Sequence, residues 1–236
     1  MILPDFILST RQNKNFSTTG IDSRDKCQDP AYFDSYPYTV SYQYNSRGYR
    51  DAEWPDNVEE LKNCIWCFGD SFTVGLGNPR EHIWPVILEN RTGIRCINIS
   101  LDGASNDWIV RKVNRVIEEI NPNAIVIQWS FLNRVESPDT SLSDEYRRMH
   151  CDPRDWDYDE TEVYSKRFNT ILTSIKHDNL VHSAIPKYRM FDKQLEFVKP
   201  IYEVERIDLA RDSFHYGPLS ANKLVDHIIN NLNIVQ

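Results

Sequence analysis

The stretch "CFGDSFTVGLG", residues 67–77, opens inside the apolar run "CIWCF" and sets a polar Gly-Asp-Ser at its end. A short apolar run bounded by turn residues reads as a buried strand. Gly, Asp and Ser are ordinary turn and helix-capping residues, so a plain strand-to-helix turn is one reading. The other is a nucleophile turn, with Ser71 held at a strand tip where a ligand can reach it. Three residues do not separate the two. What the chain carries at its other strand ends does.

Working outward, "EHIWPVILENRTG" (81–93) reads as a helix that tolerates Pro85 and is capped by Gly93. "IRCINIS" (94–100) reads as a second strand, followed by the loop "LDGASND". "DWIVRKVNRVIEEINP" (107–122) has apolar residues at 109, 110, 113, 116, 117 and 120, an amphipathic helix stopped at Pro122. "AIVIQWS" (124–130) is continuously apolar at its start, as in a parallel strand buried on both faces. "VYSKRFNTILTSIKHD" is a further helix, "NLVHSAIP" a fourth strand, "ERIDLA" (205–210) a short fifth, and "SANKLVDHIINNLN" a last helix. Strand and helix alternate, which predicts a three-layer α/β/α sandwich around a central, mostly parallel five-stranded sheet.

Residues 1–60 differ. They are aromatic and irregular, as in "AYFDSYPYTVSYQYNSRGYRDAEWP", with a short strand expected at "YTVSYQY" and a turn at Asn45–Gly48. Too few aliphatics are present for a separate core, so 1–60 is expected to be an extension packed on a domain spanning 61–236.

The 236 residues are 40% apolar, enough for a sizeable core. The net charge of −8 argues against nucleic acid as a partner, since neutralising phosphates needs a Lys/Arg surplus. No stretch reaches the roughly 18 apolar residues a membrane helix needs. "MILPDFILSTRQNK" lacks the basic start and long apolar core of a signal peptide, so a soluble, cytoplasmic chain is expected. Five cysteines, an odd number, point to reduced thiols. Cys64 and Cys67 face opposite sides of a strand and lack the partners of a zinc set. Asp155, Asp157 and Asp159 alternate within 152–162 but lack the glycine and terminal glutamate of an EF-hand loop, leaving a solvated loop as the expectation.

In an open parallel sheet, ligands bind beyond the C-terminal strand ends. There this chain places Ser71, then Gly103, then Ser130 and Asn133 in "WSFLNR", then Asp212 and His215 in "RDSFHYGPLS". These are a nucleophile, a backbone donor, side-chain donors, and a base with an orienting carboxylate, the parts acyl transfer requires. His82, His150, His177, His182 and His227 have no such context and are expected to be packing or surface residues.

The set and its order resemble the SGNH hydrolases, the GDSL-type esterases and lipases. The resemblance rests on "FGDSFTVG", Gly103, the strand-end Asn133 and Asp-x-x-His at 212–215, and spans roughly residues 63–232. "WSFLNR" departs from the family's Gly-x-Asn-Asp, lacking both the glycine and the aspartate. The resemblance implies a flavodoxin-like fold and a serine esterase acting on short-chain acyl esters, O-acetyl groups on carbohydrate among them. It implies Ser71, His215 and Asp212 as triad, with Ser71, Gly103 and Asn133 as oxyanion hole, and neither metal nor cofactor. The departure at "WSFLNR" leaves a glycan-binding member without hydrolysis open, and an O-acyltransferase stays open because the sequence does not identify the acyl acceptor.

Overall fold

The computed structural model describes residues 2–148, 161–186 and 197–233. Its elements run β1 (Asn15–Phe16), α1 (Pro30–Ser35), β2 (Tyr42–Gln43), α2 (Val58–Lys62), β3 (Ile65–Gly69), α3 (Ser71–Val74) and α4 (Trp84–Thr92). They continue with β4 (Cys96–Ser100), α5 (Asn106–Glu119), β5 (Ala124–Trp129), α6 (Asp144–Arg147), α7 (Thr161–Ser174), β6 (Leu180–Ala184), β7 (Tyr202–Glu203) and α8 (Pro218–Asn231).

The central sheet has five strands in the order β4-β3-β5-β6-β7, every neighbouring pair parallel. Helices α4 and α8 pack together, as do α5 and α7. Strands β3, β4 and β5 are buried at every position, as largely apolar strands with helices on both faces are, and their polar exceptions Asn98, Ser100 and Gln128 are hydrogen-bonded. The order reverses between β4 and β5, on either side of β3. That switch point puts the tip of β3 in the crevice where ligands of such sheets bind.

Helix α4 begins at Trp84, so Pro85 falls in its first turn, where the missing N–H costs nothing. It ends at Gly93 in the left-handed region, φ 70°. The short strand read from "YTVSYQY" is Tyr42–Gln43, paired antiparallel with Asn15–Phe16. The expected fifth strand at 205–210 is not one. The edge strand is Tyr202–Glu203, and Leu209 makes only an isolated bridge to Tyr216. The physical reason lies in Asp208, whose carboxylate accepts from the Leu219 and Ser220 amides and the Ser220 hydroxyl. That segment is spent on capping α8 rather than on extending the sheet.

The N-terminal sixty residues feed the same core as the sheet. Leu3, Phe6, Leu8, Tyr49 and Trp54 join Trp66, Phe68 and the β4 and β5 side chains in one buried cluster. Trp54 lies edge-on to Trp66 with ring centroids 5.6 Å apart. Cys64, Cys67 and Cys96 are buried free thiols, and burial pushes Cys64 up to about 11. The acidic run 152–160, with His150 and Cys151, lies outside the described residues.

Candidate active site

Strand β3 ends at Gly69, whose missing side chain is essential: a Cβ there would collide with Thr73 Oγ1. Asp70 then caps α3, accepting a hydrogen bond from the Phe72 amide at 3.0 Å. Ser71 is therefore the first residue of the helix and not its cap. With Asp70 as cap, the Ser71 hydroxyl is released for other work.

That hydroxyl lies 2.8 Å from His215 Nε2. His215 Nδ1 lies 2.5 Å from Asp212 Oδ2, and the other Asp212 oxygen accepts from the amides of Phe214 and His215. The two blocks at 71 and 212–215 thus meet across 144 positions of sequence. His215 sits against Phe72, ring centroids 4.4 Å apart, which fixes the imidazole plane. Ser71, Asp212 and His215 are all buried.

Burial opposes the imidazolium of His215, but the Asp212 carboxylate outweighs it, aided by Asp70 and Asp102, and holds the pKa above its ordinary value. Asp212 is the mirror case. Burial pushes its carboxyl up, while the His215 charge and the hydrogen bonds it accepts bring it below the usual range. This is a hydroxyl, an imidazole and a carboxylate in hydrogen-bonded series, an arrangement able to carry a proton off Ser71.

Gly103 lies in the loop beyond β4, with φ 75°. Asn133 is buried in the turn beyond β5. The "WSFLNR" block is anchored in ways the sequence did not disclose. Asn106 and Ser130 are joined by reciprocal bonds, the Asn106 amide donating to the Ser130 carbonyl at 3.1 Å and the Ser130 N–H to Asn106 Oδ1 at 2.8 Å. The Ser130 hydroxyl donates to Asp70 Oδ2 at 2.6 Å, and Arg134 reaches the same oxygen at 2.9 Å. Burial pushes the Asp70 carboxyl up, and the Arg134 charge and Ser130 bond work against it. A cation thus stands where the resemblance leads one to expect an aspartate, and it ties the third block to the residue preceding Ser71.

The remaining described histidines lie elsewhere. His182 stacks on Trp129 and is pushed to about 4 by burial. His227 stacks on Tyr202, His82 lies edge-on to Tyr38, and His177 bonds the Pro122 and Asn179 carbonyls. Among the described residues no His, Cys, Asp and Glu side chains gather into a metal-binding group, and no helix is long and apolar enough to cross a membrane.

No family model and no curated protein sequence matches the chain. Solved structures do. The psychrotrophic esterase EstA from Pseudoalteromonas sp. aligns over 72% of this chain and 96% of its own, at 14% identity and TM-score 0.46. A family 3 carbohydrate esterase from Clostridium thermocellum aligns over 71% and 93%, at 15% identity and TM-score 0.41. The acetyl xylan esterase Est2A from Butyrivibrio proteoclasticus aligns over 76% and 65%, at 15% identity and TM-score 0.41. These are likenesses of fold; the resemblance to the SGNH hydrolases is carried by the residues themselves, Gly-Asp-Ser at the tip of β3 and Asp-x-x-His facing it.

Proposed function

We propose that this chain is a serine esterase of SGNH type that hydrolyses short-chain acyl esters by two-step acyl transfer. The observation that carries the reading is the unbroken series from Ser71 Oγ through His215 to Asp212, with separations of 2.8 and 2.5 Å. In the first step His215 Nε2 accepts the Ser71 proton as Oγ attacks the ester carbonyl. Asp212 keeps Nδ1 protonated and stabilises the imidazolium that forms. The same imidazolium then protonates the departing alcohol. In the second step His215 deprotonates water, which attacks the acyl-serine and frees the carboxylic acid.

The tetrahedral oxyanion is assigned to the backbone N–H groups of Ser71 and Gly103 and the Asn133 side-chain amide. Removing one such donor typically costs about 3 kcal/mol of transition-state stabilisation. The short acyl group, with O-acetyl carbohydrate as one form, follows from the resemblance of the motif blocks. Residues 61–236 are taken as the catalytic domain and 1–60 as its packed extension.

A fluorophosphonate probe tests the reading. It should label wild-type protein once, at Ser71, and Ser71→Ala should abolish both labelling and hydrolysis of a short-chain aryl ester. Absence of labelling in folded wild-type protein, or labelling at another serine, removes the nucleophile assignment.

A further inference from the structure

The proposed chemistry makes no use of Asp22, yet its carboxylate is completely buried. A buried carboxylate needs dedicated partners, and the identity of those partners is informative. Arg211 grips it with both ends of its fork, Nε at 2.9 Å and a terminal nitrogen at 2.6 Å. The Tyr42 hydroxyl donates to it at 2.5 Å. That hydroxyl in turn accepts from the Gly77 N–H at 2.8 Å. The circuit closes through the backbone, because the Arg211 N–H donates to the Gly77 carbonyl at 3.0 Å.

Two members of this ring stand next to the site. Gly77 lies in the loop that follows α3 and hence Ser71. Arg211 immediately precedes Asp212. The two loops approach so closely that a Cβ on Gly77 would lie 3.0 and 3.1 Å from the Arg211 and Asp212 nitrogens. Gly77 also has φ +75°, which a side chain would strain.

The N-terminal segment makes further holds at both ends. Gln28 N–H donates to the Asp212 carbonyl at 3.2 Å. On the nucleophile side, buried Arg50 donates to the carbonyls of Val74, Gly75, Ser41 and Asn78 at 2.7 to 3.0 Å. Its guanidinium also lies 4.3 Å from the centre of the Tyr42 ring, so the ring that presents the hydroxyl is itself pinned.

We propose that Asp22 and Tyr42 are positioning residues, a clasp from the N-terminal segment that sets the distance between the Ser71 turn and the Asp212–His215 turn. Neither touches the reacting atoms. They act by fixing one loop against the other, so that His215 Nε2 meets Ser71 Oγ within hydrogen-bond range. The rate consequence rests on the esterase reading; the geometric consequence for His215 does not.

The test uses the full chain with Tyr42→Phe, which keeps the ring over Arg50 and removes only the hydroxyl, and Asp22→Asn. Two readouts are taken. One is hydrolysis of a short-chain aryl ester, resolved into kcat and KM. The other is the low-field proton resonance of His215 Nδ1–H, assigned by its loss in His215→Ala. Misplacement by a fraction of an ångström should lower kcat about 10- to 100-fold. KM should stay within about twofold, since ground-state binding is untouched. The resonance should shift or broaden in both variants, with the folded fraction unchanged by circular dichroism. Retention of both rate and resonance overturns the proposal. So does a rate loss that merely tracks the unfolded fraction while the resonance of the folded protein stays put, for Asp22 then serves stability alone. If wild type neither hydrolyses ester nor labels at Ser71 while the resonance still moves in the variants, the esterase reading fails and the clasp stands.

Discussion

His215 can accept a proton from Ser71 only as the neutral imidazole, and this residue is held above its ordinary pKa of 6.5, with burial opposed and overcome by the Asp212 carboxylate. The acylation rate is therefore expected to rise with pH through a midpoint above about 6.5. In Asp212→Asn the main opposition to burial is gone and only the weaker pull of Asp70 and Asp102 remains, so the midpoint should fall. A pH profile of kcat/KM for both proteins checks this; an unchanged or higher midpoint in Asp212→Asn contradicts the assignment. At this scale the sequence was legible where chemistry is written locally. Gly-Asp-Ser and Asp-x-x-His each sit within four residues. Arg134, Asn106 and Asp22 were not legible, because each gains meaning only from a partner far off, 64 positions in the case of Arg134 and Asp70.

Elements were legible in proportion to their apolar continuity. Strands β3, β4 and β5 are buried throughout and announce themselves. The edge strand β7 is two residues long and half-buried, too short for any pattern, while "ERIDLA" looked like a strand and instead caps a helix. Beside the edge strand β4 lies a further polar group that periodicity does not reveal. Asp51 accepts from the Asn98 amide at 3.1 Å and pairs with Arg95 at 2.8 Å. Burial nevertheless raises its pKa from 3.8 to about 6, with Arg95 and the Asn98 N–H pulling the other way. A carboxyl that binds its proton more tightly in the folded state favours folding most at low pH. Its contribution should decline as pH climbs from about 4 to about 6 and stay level above, a change of about 3 kcal/mol. The stability of wild type minus that of Asp51→Asn, from urea unfolding, should therefore fall by that amount across this window. A constant difference shows that Asp51 is ionised in both states.

For the whole molecule, the telling fact is how residues 1–60 are used. Leu3, Phe6, Leu8, Tyr49 and Trp54 complete the cluster around Trp66 and Phe68. At roughly 1.5–3 kcal/mol for each buried side chain, their loss amounts to about 10 kcal/mol. Domains of this kind are stable by only about 5–15 kcal/mol in all. A fragment beginning at residue 61 is thus expected to give no cooperative thermal transition, where the full chain gives one. A fragment melting within a few degrees of the full chain would show that the extension is dispensable. The scarcity of aliphatics in 1–60 points to a segment that packs on another core, but which surface it completes is set by contacts over a hundred positions apart, as between Lys112 and Asp5.

The distance along the chain between Asp22 and Arg211, 189 positions, also has a meaning in time. Closing so long a loop is entropically costly, and contacts of this kind form only once nearer ones have already brought the ends together. The nearer contacts between neighbouring strands are expected to form first and the ring through Gly77, Tyr42, Asp22 and Arg211 to shut afterwards, so that during refolding Ser71 and His215 become neighbours after the sheet has formed.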